Sequence, residues 1–328
     1  MAIQSVLSLA PLRVSFLGGG TDISSFYNFH KGAVVSAAID KYVYVHIKRH
    51  DPLFQERYRI SYSETEHALE RNQIKNDIVR ACLEFLEIDE PLQISTSADL
   101  PANSGLGSSS SFAVALLLGL HAMKNESVSP VQIAEEAYAV EVSLLSSPIG
   151  KQDQYAAAFG GLNYYEFHSD GRVKVEPLYI DNFDASLLFS RSVLVWTGQS
   201  RIASSILQDQ ALRSEVNKLG LIEISQLAEE FKQELLLPEL DWKRLGSLIQ
   251  QGWRIKRTFS SKIETPEVNS ICAILDDFNC YGYKLLGAGG GGFILALIED
   301  PNTILGVSNF RAFQPRLNQT GARIISVN

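Results

Sequence analysis

Four consecutive serines follow two glycines in the stretch Pro101-Ala102-Asn103-Ser104-Gly105-Leu106-Gly107-Ser108-Ser109-Ser110-Ser111. The glycines let the backbone approach a ligand closely and turn N–H groups toward it. The serines lead into an apolar run from Phe112, which predicts a buried helix. Because a helix N-terminus carries free N–H groups and a partial positive charge, the stretch indicates a phosphate-binding loop. The alternative is a turn capped by serine, which needs fewer serines than are present.

The stretch differs from two common phosphate-binding patterns. GxxxxGK[ST] does not occur, since Gly150-Lys151 is followed by Gln152. The N-terminal segment Gly18-Gly19-Gly20-Thr21-Asp22 does not fit GxGxxG, because Asp and Ile occupy positions 22 and 23. That segment is by itself equally well explained as a tight turn.

Two further segments carry weaker signals. Asp153 lies in segment 148–155, after a predicted helix over 132–145, and an aspartate there could equally be a helix N-cap. Segment 287–292 has five glycines in six positions. Such a run has a large entropy cost on ordering, so it indicates a backbone that passes close to another group. The alternative is a flexible hairpin loop.

Length and pattern predict two domains in an α+β fold. The chain has 328 residues, and domains usually have about 100–200. Short strands such as 33–39 and 42–47 alternate irregularly with helices, without a repeated strand–helix–strand unit. Long charged helical patterns follow over 202–236 and 242–263. We therefore predict an N-terminal domain over residues 1–185 and a C-terminal domain over 186–328.

Charge and hydropathy exclude several function classes. The net charge of −8 argues against a nucleic-acid-binding surface, although a local basic pocket for a small phosphorylated ligand remains possible. The apolar run 112–123 is shorter than the about 20 residues of a membrane span. The N-terminus lacks a signal-peptide pattern, so we expect a cytoplasmic enzyme without membrane partners.

The three cysteines, Cys82, Cys272 and Cys280, are widely spaced and predict reduced structural thiols.

Taken in order, the four segments resemble the GHMP kinases, the superfamily of galactokinase, homoserine kinase and mevalonate kinase. The resemblance extends from Ala10-Pro11-Leu12-Arg13-Val14 to Gly292-Phe293. The stretch 101–110 is similar to the PxxxGLGSSA motif, with Ser110 where alanine is common. The resemblance implies a two-domain α+β fold, with a ribosomal-S5-domain-2-like N-terminal domain and a ferredoxin-like C-terminal domain.

Within the superfamily, segment 18–22 resembles the bacterial D-glycero-D-manno-heptose 7-phosphate kinases and the kinase domain of L-fucokinases. Galactokinases have Gly-Glu-His-x-Asp there. Segment 150–161 and the chain length also resemble the heptose kinases. This implies ATP-dependent phosphorylation of the anomeric C1 hydroxyl, giving the 1,7-bisphosphate for nucleotide-activated heptose and surface polysaccharide. The alternatives are an L-fucokinase-like or other sugar-1-kinase, a non-catalytic sugar or nucleotide sensor, and a decarboxylase of the mevalonate branch.

The resemblance also implies roles at the reacting centre. Asp153 would accept the proton of the sugar hydroxyl. Arg13 would keep Asp153 ionised and offset charge on the transferred phosphoryl group. Ser109 and Glu141 would bind Mg²⁺ through oxygen, the donor that this ion prefers. The residues expected to bind ATP are Pro101, Ser104, Gly105, Leu106, Gly107, Ser108, Ser109 and Ser110.

The remaining implied roles concern the sugar. The residues expected to bind it are Gly19, Gly20, Thr21, Asp22, Asp153, Gly289 and Gly290, and segment 289–292 would also support the serine loop. A substrate with a 7-phosphate needs a second anion site, for which we select Arg201 and Lys256. The alternative is that both residues are solvent-exposed charges on helix surfaces, where Lys and Arg are common. The sequence leaves a monomer and a homodimer equally open.

Overall fold

Two long antiparallel strands form the centre of the larger sheet. The computed structural model describes residues 3–178, 185–200, 206, 209, 214–308 and 310–328. Strand β1 (Ser5–Leu17) pairs along most of its length with β2 (Gly32–Arg49). The sequence predicts two strands in place of β2. The structure has one, because residues 39–41 bulge from the ladder opposite Leu12 without ending it.

The described residues form two sheets. The larger has the order β12-β1-β2-β5-β3-β4, with β6 also paired to β2 and β7 paired to β6. The smaller has the order β11-β8-β10-β9. The strands after β2 are β3 (Tyr58–Ser61), β4 (Thr65–Ala68), β5 (Leu92–Ala98), β6 (Leu162–Phe167), β7 (Val173–Pro177), β8 (Ser192–Trp196), β9 (Gly282–Leu285), β10 (Phe293–Leu297), β11 (Ala312–Phe313) and β12 (Arg323–Val327).

The α-helices pack against these sheets. They are α1 (Ser24–Tyr27), α2 (Asp77–Phe85), α3 (Ser108–Met123), α4 (Pro130–Tyr138), α5 (Gln152–Phe159), α6 (Ser186–Ser190), α7 (Ser214–Leu235), α8 (Trp242–Arg257), α9 (Pro266–Asp277) and α10 (Asn302–Leu305). Within the described ranges, none of them combines the length and apolar character needed to cross a bilayer.

The apolar helix α3 is the centre of the N-terminal core, as the sequence predicts. It is buried almost all round and packs on β1, β2, α4 and α5. Ser111 Oγ donates a hydrogen bond to the carbonyl oxygen of Pro11, at 2.8 Å. This contact brings the first turn of α3, with its serines, beside the middle of β1.

The helix predicted over 132–145 divides into two parts. Ser129 caps α4 and Pro130 occupies its first turn. A π-helical segment, Ala139–Leu144, follows directly. There the N–H of Leu145 donates to the carbonyl oxygen of Val140, five residues back. The wider turn is a local departure from helical periodicity, of the kind often found at functional sites.

The last strand joins the two halves of the chain. β12 pairs with β1 rather than with the smaller sheet. The preceding residues also bind the larger sheet, since the Asn318 N–H donates to the Ala38 carbonyl and the Gly161 N–H to the Asn318 carbonyl. The segment predicted to be the C-terminal domain therefore ends with a strand of the larger sheet, which is built mainly from the N-terminal half of the chain. The boundary at 185/186 itself stays a prediction.

Candidate active site

The four segments singled out in the sequence meet around one cavity of about 300 Å³. Its walls are the glycine turn after β1, the first turns of α3 and α5, the end of α8 and the loop after β9. The charged residues that line it are Arg13, Asp22, Glu141, Asp153, Lys256 and Lys284. The cavity thus has three cations and three carboxylates facing one space.

A bidentate ion pair joins β1 to α5 at the centre of this cavity. Arg13 Nε donates to Asp153 Oδ1 at 2.7 Å, and Arg13 Nη2 donates to Asp153 Oδ2 at 2.9 Å. The remaining Nη1 donates to the carbonyl oxygen of Gly105 at 2.6 Å. The Arg13 side chain is 4% exposed and that of Asp153 is 24% exposed. Arg13 therefore orients a carboxylate that still faces the cavity, and ties it to the serine loop.

A second carboxylate, Glu141, lies beside the serines. It is provided by the π-helical segment and is 2% exposed. Ser109 Oγ donates to its Oε1 at 2.6 Å, and Gln154 Nε2 donates to its Oε2 at 2.7 Å. Burial raises the pKa of Glu141. A bound cation would oppose that shift, and the Ser109 and Glu141 oxygens are donors of the kind that Mg²⁺ selects.

The third carboxylate, Asp22, is held rigidly at the end of the N-terminal glycine turn. Its Oδ1 accepts from the Gly20 N–H at 2.9 Å and from Gln152 Nε2 at 3.2 Å. Its Oδ2 accepts from the Gln152 N–H at 3.2 Å. Burial, followed by the nearby charge of Asp153, raises the pKa of Asp22. A Cβ on Gly150 would lie 2.0 Å from Asp22 Oδ2, so glycine is required there.

Thr21 does not have the sugar-binding geometry that the family resemblance implies. Its side chain is fully buried and lies outside the cavity lining. The hydroxyl oxygen lies 2.8 Å from the Gly18 carbonyl and 3.0 Å from the Ala33 carbonyl, and it also accepts from the Ala33 N–H. Each of these hydrogen bonds is made with backbone. Thr21 therefore shapes the glycine turn, and Asp22 is the member of the pair that faces the cavity.

The serine loop divides into lining and supporting residues. Gly105, Gly107, Ser108, Ser109 and Ser110 line the cavity. Gly107 precedes α3 with a positive φ of 76°, which glycine adopts at no steric cost. Leu106, by contrast, is fully buried in the core, Ser104 is fully buried behind the loop, and Pro101 is exposed outside the lining. These three residues therefore do not line the cavity.

The C-terminal glycine cluster packs against the serine loop, backbone to backbone. The Phe293 N–H donates to the Ser104 carbonyl at 3.1 Å. A Cβ on Gly292 would lie 2.4 Å from that same oxygen. The predicted supporting role of 289–292 is therefore what the geometry favours. Gly289 instead packs on Ile263, whose carbonyl accepts the Gly290 N–H, and neither glycine lines the cavity.

Of the two cations selected for a second anion site, Lys256 lines the cavity near the glycine turn. Burial lowers its pKa to about 8. Arg201 lies outside the described residues.

Sequence reasoning missed Lys284, Gln152 and Gln154, which also converge on this region. Lys284 could have been noticed from its place three residues before the glycine cluster, but the direction of its side chain depends on tertiary contacts.

Two family models match the chain. The model for the GHMP kinases N terminal domain matches residues 74–161, and that for the GHMP kinases C terminal matches residues 228–310. The chain is 33% identical over 308 residues to a D-glycero-alpha-D-manno-heptose 7-phosphate kinase of Campylobacter jejuni, which covers 90% of each protein. It is 30% identical over 220 residues to a bifunctional fucokinase/GDP-fucose pyrophosphorylase of Arabidopsis thaliana, covering 64% of this chain and 20% of that protein.

Solved structures share the architecture. A crystal structure of a D-glycero-D-manno-heptose 1-phosphate kinase from Bacteroides thetaiotaomicron superposes with a TM-score of 0.79. The two proteins are 25% identical, and the match covers 98% of this chain and 99% of that one. The crystal structure of Lactococcus lactis galactokinase complexed with galactose superposes with a TM-score of 0.73 at 15% identity, over 97% and 95% of the chains.

Proposed function

The chain belongs to the GHMP kinases and is an ATP-dependent phosphotransferase, and from this premise we propose that its acceptor is D-glycero-D-manno-heptose 7-phosphate. The membership confirms the predicted α+β fold of the family. The proposed reaction transfers the γ-phosphoryl group of ATP to the C1 hydroxyl, giving the 1,7-bisphosphate. The similarity to the Campylobacter jejuni heptose 7-phosphate kinase over 90% of both proteins supports this acceptor. The proposal includes a cytoplasmic location, where ATP is supplied.

The Arg13–Asp153 ion pair is the observation that carries the mechanism. Asp153 presents a partly exposed carboxylate to the cavity, so it can accept the proton of a sugar hydroxyl placed there. Arg13, held by Asp153 and the Gly105 carbonyl, lies where it can offset charge on the transferred phosphoryl group. Phosphoryl transfer depends mainly on such positioning and charge neutralisation.

The binding parts surround this pair. The N–H groups and hydroxyls of the first turn of α3 would hold the triphosphate. Ser109 and Glu141 would bind Mg²⁺, which neutralises phosphate charge when it is bound. Asp22 would bind hydroxyls of the sugar, since a carboxylate is a strong acceptor for them, and the backbone of Gly19 and Gly20 would lie beside the sugar.

An L-fucokinase-like activity is the second candidate. It is supported by the 30% identity over 220 residues to the Arabidopsis thaliana bifunctional fucokinase. That match covers 64% of this chain, against 90% for the heptose 7-phosphate kinase. The more extensive match favours heptose 7-phosphate as the acceptor.

A panel of acceptors decides between these candidates. Purified enzyme is incubated with ATP and Mg²⁺ and with heptose 7-phosphate, L-fucose, galactose or mannose. Phosphorus NMR of each product then identifies the phosphorylated hydroxyl. We expect turnover of heptose 7-phosphate with a new resonance for an anomeric phosphate, and little turnover of the others. Preferential turnover of L-fucose would instead establish the second candidate.

A further inference from the structure

Lys284 stands on the smaller sheet, lines the cavity, and contacts the end of β1 in the larger sheet. It stands on β9, and its Nζ donates to the carbonyl oxygens of Ser15 and Phe16, at 2.9 and 3.1 Å. Both acceptors are neutral. An ammonium group has three N–H donors, so these two contacts leave one donor for a further partner, and Lys284 lines the cavity.

A buried lysine elsewhere in this chain shows a different arrangement. Lys151 Nζ donates to both carboxylate oxygens of Glu135, at 2.7 and 2.8 Å, and to the Gly171 carbonyl. Its charge and its three donors are fully used within the protein. Among the described residues, no carboxylate lies within 4.0 Å of the Lys284 ammonium. Within these described ranges, Lys284 therefore lacks a carboxylate partner of the kind that Lys151 has.

Lys256 and Ser15 line the same cavity as Lys284. Lys256, in the last turn of α8, places its Nζ 3.5 Å from the position that a Cβ on Gly20 would occupy. The Ser15 side chain is 4% exposed and lines the cavity, and its Oγ has no hydrogen-bond partner among the described residues. A buried hydroxyl normally has a partner, and Ser15 lies in the cavity lining, where a bound polar ligand would supply one.

We propose that Lys284, Lys256 and Ser15 form a phosphate-binding subsite, which holds a phosphate that the acceptor sugar already carries. Burial, followed by the charges of Lys256 and Arg13, lowers the pKa of Lys284 to about 7. A phosphate dianion between the two ammonium groups would relieve that repulsion. This subsite would select phosphorylated sugars over neutral ones, and its assignment to the acceptor rests on the proposed function.

Binding measurements without turnover test the subsite. Calorimetric titrations compare heptose 7-phosphate with the same heptose lacking the phosphate, and a non-hydrolysable ATP analogue is titrated separately. We expect Lys284→Met and Lys256→Met each to weaken binding of the phosphorylated sugar by about tenfold or more, because each removes a charge-assisted hydrogen bond. Ser15→Ala should weaken it by about threefold. Binding of the neutral sugar should stay within about twofold of wild type.

Controls separate this result from misfolding. Lys243→Met removes an exposed lysine from the same helix as Lys256 and should change neither titration. Because Lys284 also links two sheets, its variant is checked by circular dichroism and thermal unfolding. Lys256→Met keeps the test valid if Lys284→Met unfolds. Equal losses for both sugars would overturn the subsite, and so would a loss confined to the ATP analogue.

Together with the acceptor panel, these titrations distinguish failure of the subsite from failure of the proposed function. An enzyme that binds heptose 7-phosphate through these lysines without phosphorylating it would retain the subsite and refute the proposed reaction. An enzyme that phosphorylates it, with binding insensitive to both lysines, would retain the reaction and refute the subsite.

Discussion

The Asp153 side chain is held in one orientation and is also accessible from the cavity. Its carboxylate is clamped on both oxygens by Arg13, and yet the side chain remains 24% exposed toward the cavity. A clamp of this kind limits rotation, so the carboxylate keeps one orientation before the substrate arrives. A group placed in this way contributes mainly in the transition state rather than to ground-state binding.

We therefore expect Asp153→Asn to lower kcat by about 10²-fold or more, while the Kd for ATP changes by about twofold at most. The amide keeps the shape of the side chain but cannot accept the proton or pair with the Arg13 charge. Steady-state kinetics and nucleotide titration measure the two quantities. Asp170→Asn is the matched control, since Asp170 is exposed in the β6–β7 turn and accepts hydrogen bonds from Arg172. Near-normal turnover of Asp153→Asn would refute the role of this carboxylate.

Among the secondary-structure elements, a histidine joins the end of α3 to α4. His121 lies in the last turn of α3 with 5% of its side chain exposed. Its Nδ1 lies 2.7 Å from a carboxylate oxygen of Glu126, and its Nε2 lies 2.7 Å from one of Glu136. The hydrogen bond to Glu136, with that to Glu126, raises the pKa of His121 despite burial. A protonated ring donates from both nitrogens, and its charge favours the helix C-terminus.

This pair of contacts predicts a pH-dependent contribution to stability. Since the pKa of His121 is higher in the folded state, its contribution is complete below the ordinary value of about 6.5. It is lost as pH rises through the raised value. We expect His121→Gln to reduce the free energy of unfolding by about 1–3 kcal/mol at pH 6, and by progressively less up to pH 9.

Urea unfolding of wild type and variant across that pH range measures the difference. His46→Gln, at an exposed position of β2, is the control and should shift stability little at any pH. A difference between wild type and His121→Gln that grows with pH would contradict the assignment of a charged imidazole.

Across the molecule as a whole, the two sheets meet through glycine backbone at the cavity. Gly292 has a φ of 102°, and a side chain there would collide with the Ser104 carbonyl. Gly105 and Gly287 also approach each other closely, since a Cβ on Gly287 would lie 2.7 Å from Gly105 Cα. The serine loop therefore depends on the C-terminal half of the chain for its position.

Gly292→Ala should separate these backbones and move the loop. We expect it to lower kcat by about tenfold or more, because small displacements of positioned groups are costly. Gly171→Ala is matched to it, since Gly171 also has a positive φ, 82°, but a Cβ at that position would have no heavy atom within 4 Å. Both variants include the strain of about 1–2 kcal/mol for a left-handed residue.

Comparing the two variants by thermal unfolding and kinetics isolates the effect of the contact. If Gly171→Ala and Gly292→Ala lose stability equally and both retain activity, the close approach has no functional importance.

Local patterns in the sequence specify the elements and most of the chemistry. The serine loop, the buried helix α3 and the glycine cluster each follow from local constraints, namely helix capping, apolar patterning and backbone freedom, whereas the role of Asp153 follows from the family resemblance. Their order along the chain was sufficient for the family resemblance. The π-helical turn that presents Glu141 was missed, because the periodicity of 132–145 is satisfied equally well by a regular helix.

Which side chains face the cavity follows from tertiary contacts alone. Thr21 is polar and adjacent to Asp22, but the turn directs its hydroxyl to backbone. Lys284 cannot be told from a surface lysine in the sequence, and its place in the cavity depends on the contacts of its ammonium with the Ser15 and Phe16 carbonyls. The position of β12 beside β1 is likewise set by pairing between distant segments. Such contacts join segments that are far apart in the chain, so no local pattern in the sequence predicts them.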